Sequence, residues 1–172
     1  RAGVRLCVNE NGLWRKFGIP LAQLRSFLKK SESATHVRLC GLQFHVSWNL
    51  DPGAQVEFLS RLGNEMSRLD KDIIRNLEFI DIGGGYWPPS GEWLQSRSST
   101  SPENDSPTGD GDHRMSHFCN PAVAIETFAE DISLAIDDYI GPHFGGTFCR
   151  EPGRWLCHDA MHILLTVVDK KA

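Results

Sequence analysis

The stretch that decides the fold is Leu77-Glu78-Phe79-Ile80-Asp81-Ile82-Gly83-Gly84-Gly85. Its apolar residues suit a strand buried on both faces, as in a parallel sheet. Consecutive glycines weaken a strand interior, so the strand is expected to stop at Gly83. Gly83, Gly84 and Gly85 have no side chains and can turn their N–H groups toward one point, a nest for an anion. At the carboxyl end of a parallel strand, α/β folds hold phosphates in such corners. A plain exit from strand to loop, with no ligand, explains the same glycines equally well.

Alternating strands and helices extend to either side. Upstream, residues 4–8 (VRLCV) read as a strand carrying Arg5, a charge that is costly to bury unless it is paired. Pro20 suits a first helical position, with Leu21, Leu24 and Leu28 at helical spacing and Lys29 and Lys30 at the carboxyl end. Residues 36–44 (HVRLCGLQF) read as a second strand running into His45. Asp51 and Pro52 start the next helix, whose Val56, Leu59, Leu62, Met66 and Leu69 form a core-facing stripe.

Downstream, residues 88–119 read as an insertion. Between residues 96 and 112 almost every position is Ser, Thr, Pro, Gly, Asp, Glu or Asn, a composition expected to stay disordered or to act as a lid. Its aromatic beginning (Tyr86, Trp87, Trp93) is expected to pack near the glycines. His113, His117 and Cys119 form an incomplete zinc set, read as ordinary loop residues. Asn120 and Pro121 are expected to cap a helix that buries Ile125, Phe128, Ile132, Ile136 and Tyr139. Residues 145–149 (GGTFC) lead into a strand ending at Arg150-Glu151-Pro152-Gly153-Arg154, and residues 163–168 form a last β-branched run.

The order β-α-β-α-β-(loop)-α-β predicts an α/β fold with a parallel sheet. A barrel and an open doubly wound sheet both accommodate it. Four such units make about half of a (β/α)8 barrel of the TIM type, here its second half. The chain has 172 residues and a net charge of −4 with both signs interspersed, which argues against a nucleic-acid footprint. No apolar run approaches the ~20 residues of a membrane span, and no signal peptide is visible. The five cysteines are irregularly spaced. Cys7, Cys40 and Cys149 are read as buried thiols of a reducing, cytoplasmic compartment. A start at Arg1 and an end in what looks like a cut strand lead us to expect a piece of something longer.

Parallel strands gather their carboxyl ends on one rim, which would hold Arg5, His45, Gly83 to Gly85, Glu151 and Arg154. Two cations, an imidazole, a glycine corner and a carboxylate suit a phosphorylated aromatic cofactor. The corner and Arg154 would neutralise the phosphate, the imidazole would lie on the ring, and the carboxylate would keep a ring nitrogen protonated. Each also has an ordinary reading: His45 as a rim histidine satisfied by backbone, Arg5 paired with Glu10 or Asp81, and Pro152-Gly153 as a surface turn.

The succession of VRL with RKFGIP, GLQFHVS, LEFIDIGGGYW and REPGRWL resembles the pyridoxal-phosphate-dependent decarboxylases of the alanine-racemase barrel type, which act on diaminopimelate, ornithine or arginine. The resemblance spans nearly the whole chain outside the insertion. It implies pyridoxal 5'-phosphate as cofactor, α-decarboxylation of diaminopimelate or a basic amino acid such as ornithine, lysine or arginine, and a homodimer. By position it implies His45 stacked on the cofactor ring, Gly83, Gly84 and Gly85 at the phosphate, Glu151 at the pyridine nitrogen, Arg154 at the phosphate and Arg5 near the phenolic oxygen. It also implies a barrel over residues 1–162 and the start of a crossover to a β domain over 163–172. The Schiff-base lysine would lie ahead of Arg1 and the substrate-side cysteine beyond the last residue; Lys170 and Lys171 match neither place. The chain departs from the family's His-(Ile/Val)-Gly-Ser at His45-Val46-Ser47-Trp48. A racemase on the same barrel and a non-catalytic decarboxylase-like regulator are the alternative readings.

Overall fold

The computed structural model describes residues 1–8, 16–47, 49–88, 121–157 and 166, and the backbone of 92–96 and 115–119. Its main sheet contains β1 (Ala2–Cys7), β2 (Ile19–Pro20), β3 (Leu39–Gln43), β4 (Phe79–Gly84) and β7 (Thr147–Glu151) in the order β2-β1-β3-β4-β7. Every pairing in it is parallel. Between these strands lie α1 (Leu24–Ser31), α2 (Gly53–Met66), α3 (Lys71–Arg75) and α4 (Ile125–Ala135), and α5 (Gly153–Cys157) follows β7.

One face of this sheet makes the core. Val4, Leu6, Leu42, Phe44, Ile80 and Ile82 pack with Leu24 and Leu28 of α1, Leu59 and Leu62 of α2, and Phe128 and Ile132 of α4. Their neighbours in the opposite phase, Arg5, Gln43, Asp81 and Cys149, stand in register across the four longer strands, and none belongs to the core. Helices on one face only are what a barrel wall requires; a doubly wound sheet is covered on both. On the uncovered face the Phe79 ring occupies the space above Gly41, where a Cβ would overlap it, and reaches Gly3 in the same row.

Several boundaries differ from the sequence-based expectation. β4 begins at Phe79, because Leu77 closes the exit turn of α3 by donating to the Ile74 carbonyl at 3.0 Å. It also does not stop at Gly83: a bulge lies between Asp81 and Gly84, and Gly84 then rejoins the ladder opposite Glu151. Gly83, at φ +69°, absorbs the bulge. Pro20 is in β2 beside Cys7, and the helix starts beyond it with a 3₁₀ turn over Leu21–Gln23. β3 covers only the second half of the expected 36–44 strand.

The N-cap of α2 is Pro52 and not the expected Asp51, which stands one residue earlier with its Oδ1 accepting the Gly53 N–H at 2.8 Å. The α4 helix continues as a π turn over Ile136–Ile140, closed by Gly141 N–H on the Ile136 carbonyl at 2.8 Å. That wider turn shifts the phase by a residue, so Ile140 is fully buried and Tyr139, expected in the core, is exposed.

Within the insertion, β5 (Glu92–Ser96) and β6 (Met115–Cys119) pair antiparallel, where sequence composition predicted only loop. Residues 97–114, Asn120 and the β-branched run apart from Thr166 lie outside the described residues. Thr166 is not in a strand. Cys7 and Cys40 are buried as expected, but Cys149 is exposed, because it lies on the uncovered face of the outer strand β7. Among the described residues no helix is long and apolar enough to cross a membrane.

Candidate functional site: a glycine corner flanked by an imidazole and a carboxylate

Three strand ends meet at the glycines. β3 delivers Phe44, His45 and Val46, β4 delivers Gly83 to Gly85, and β7 delivers Glu151. None of the three glycines has room for a side chain. A Cβ on Gly83 would lie 2.6 Å from the Phe44 carbonyl oxygen and 2.8 Å from His45 Nδ1, and on Gly84 it would overlap the Glu151 carbonyl. On Gly85, at φ +82°, it would overlap the Val46 carbonyl. The glycines are thus the hub that lets three backbones converge.

The Gly84 N–H donates to His45 Nδ1 at 3.2 Å. A neutral imidazole accepting at Nδ1 carries its proton on Nε2. Glu151 Oε2 is 3.7 Å from the same Nδ1. The His45 side chain is 27% exposed and that of Glu151 55%, so both remain open to a ligand. Gly83 N–H is also committed, to Asp81 Oδ1 at 2.8 Å. The expected nest of three inward N–H groups is therefore not what forms; two of them serve the protein itself.

Arg154, in α5, places its guanidinium 4.4 Å from the centre of the Trp87 ring, two residues past the glycines. Helix α5 itself stands where sequence reading allowed a Pro-Gly turn. Trp87 and Tyr86 are buried, as expected for the aromatic start of the insertion. Arg5 is placed differently. It lies one row nearer the amino ends of the strands, opposite Gln43, with its guanidinium over Phe17 at 5.3 Å. Among the described residues no ion pair joins it to Asp81, and Glu10, its other expected partner, lies outside them. His117 and Cys119 belong to β6, and His113 and Trp48 lie outside the described residues. Among those residues no cluster could hold a metal ion.

Sequence reading missed the support behind the corner. Asn49 is buried, and its Nδ2 donates to the Val46 carbonyl at 2.9 Å and the Gly84 carbonyl at 3.1 Å. Gln55, fully buried in the first turn of α2, reaches the same Gly84 carbonyl at 3.4 Å. A glutamine on the apolar stripe of α2 was the available signal. Beside it, burial pushes the Tyr86 phenol up from the usual tyrosine pKa. Gln55 and Arg150 pull it partly back, and Asp81 adds to the rise. Gln55 is near enough to act on Tyr86, yet neither its Oε1 nor the hydroxyl meets hydrogen-bond geometry among the described residues.

The side chains gathered here fit pyridoxal phosphate: a flat imidazole, a carboxylate beside it, and a cation in the following helix, while the glycines let the three strand ends that carry them converge. Comparison with known proteins agrees. Residues 7–158 match the family described as pyridoxal-dependent decarboxylase, pyridoxal binding domain. No curated protein matches the chain. Among solved structures, a mutant of SrLDC in complex with PLP is 25% identical, with a TM-score of 0.56 over 91% of this chain and 33% of its own. The lysine/ornithine decarboxylase of Vibrio vulnificus complexed with putrescine is 21% identical, with a TM-score of 0.58 over 89% and 32%. The biosynthetic arginine decarboxylase SpeA of Campylobacter jejuni is 16% identical, with a TM-score of 0.60 over 90% and 23%. This chain thus spans a third or less of the length of each. It belongs to the pyridoxal-dependent decarboxylases through their pyridoxal-binding barrel domain, and its cofactor is pyridoxal phosphate.

Proposed function

We propose that the complete protein removes the α-carboxylate of diaminopimelate or of a basic amino acid such as lysine, ornithine or arginine. The proximity of His45 and Glu151 beside the glycine corner, 3.7 Å apart, carries this reading. Pyridoxal phosphate, when bound, supplies the electron sink for the pair left by the broken carbon–carboxylate bond.

The chain's own residues do the rest. Glu151 holds a proton on the cofactor's ring nitrogen, which keeps the sink strong. His45 presents a flat face against the ring and fixes its plane, so the bond to be broken stands perpendicular to it. Arg154 and the Gly85 N–H take the phosphate, the guanidinium neutralising its charge, since the Gly83 and Gly84 N–H groups are already committed to Asp81 and His45. Arg5 acts from the row below, toward the phenolic side. The working protein is a cytoplasmic homodimer in this reading.

The test is turnover by the complete protein on diaminopimelate, lysine, ornithine and arginine, followed as released carbon dioxide. Glu151→Ala is expected to lower turnover by roughly 100-fold or more, with the protein still folded by circular dichroism. Near-normal turnover in that variant removes Glu151 from the chemistry.

A further inference from the structure

Asp81 is the one carboxylate of β4, and it makes no ion pair among the described residues. Its neighbours in the sheet row are Gln43 and Cys149, neither of which carries a positive charge. The carboxylate oxygen Oδ1 instead accepts the N–H of Gly83, at 2.8 Å. That bond closes a tight turn from the aspartate side chain to the backbone two residues on. The turn coincides with the bulge between Asp81 and Gly84 and with the positive φ of Gly83.

The bulge determines where the next N–H points. With Gly83 held in the left-handed region, Gly84 N–H meets His45 Nδ1 at 3.2 Å. A bulge next to a site re-aims the groups that follow it, and here the re-aimed group is the donor that fixes the imidazole.

We propose that Asp81 is a positioning residue: through Gly83 it sets the bulge in β4, and through Gly84 N–H it sets the ring orientation and tautomer of His45. The role needs a hydrogen-bond acceptor at Oδ1 and does not need the negative charge. This rests on the cofactor reading above only where cofactor binding is the readout; the tautomer of His45 is a property of the chain itself.

Two variants separate acceptor from charge. Asp81→Asn keeps an oxygen at the same place and Asp81→Ala removes it. In the complete protein, Asp81→Ala is expected to weaken pyridoxal phosphate binding about tenfold, the upper scale of one lost ordinary hydrogen bond. Asp81→Asn is expected to stay within about threefold of the parent. By nitrogen-15 correlation spectra of the imidazole, the parent and Asp81→Asn show one Nε2–H tautomer and Asp81→Ala a mixture. Unchanged affinity and tautomer in Asp81→Ala overturn the proposal, and so does an Asp81→Asn as damaged as Asp81→Ala. If the alanine variant does not fold, the parent protein decides. The Gly83 amide proton shift follows Asp81 protonation if the bond exists and is flat if it does not. A complete protein that binds no pyridoxal phosphate yet keeps the single tautomer sinks the functional reading and leaves this one standing.

Discussion

Gly84 shows how little freedom a single position has here. It has no unusual φ, so a substitution there is a purely steric question, and a Cβ would overlap the Glu151 carbonyl. Gly84→Ala must therefore push the ends of β4 and β7 apart. It is expected to cost about 1–3 kcal/mol, seen as a lower urea midpoint, and to weaken pyridoxal phosphate binding in a fluorescence titration. Tyr86 offers a pH readout instead. Its folded pKa lies above the unfolded value of about 10. The unfolded chain therefore loses this proton first as pH rises, and stability present below pH ~10 falls above it. Tyr86→Phe is expected to flatten the decline in melting temperature between pH 9 and 11. His45 and Glu151 were legible because each ends an apolar run that reads as a parallel strand. Asn49 and Gln55 were not, since both reach the Gly84 carbonyl, 35 and 29 positions away in the chain; Asp81 was not, since its local bond to Gly83 N–H goes with a bulge that only the pairing with β7 reveals.

Among the elements, the central strands and α2 follow from pattern, because their apolar periods are long and their caps local. What pattern missed depends on tertiary contact. The two-residue strand β2 exists only by pairing with β1, and α3 is too short for a periodic signal. The π turn at the end of α4 moves Ile140 inward, and no spacing rule for a regular helix foretells it. It packs against Gly63 of α2, where a Cβ would overlap the Tyr139 carbonyl. In a lone helix, glycine to alanine stabilises by about 1 kcal/mol. Gly63→Ala is expected to do the reverse here, destabilising by about 1–3 kcal/mol through overpacking. Chemical denaturation against the parent gives the sign directly.

Across the whole molecule, stability is unevenly spread. β3 and β4 are flanked on both sides by strands and carry Leu42, Ile80 and Ile82, all with no exposed surface. Among the described residues β7 pairs on one side only, and of its five residues only Phe148 is not exposed. Hydrogen exchange is accordingly expected to be slowest in β3 and β4 and faster in β7. Slower exchange in β7 than in β4 would mean that the sheet order does not govern local opening. Glu151 stands on that less buried strand.

The contact of Phe79 with Gly41 and Gly3 gives this wall a trade-off. One ring fills a row that two neighbours leave blank, so what the interior requires of that level is a total volume, not a residue at each address. An alanine at position 41 alone would collide with the ring. Paired with a smaller aliphatic at position 79 it would restore the filling, and the two sites should tolerate exchange of bulk only when they change together.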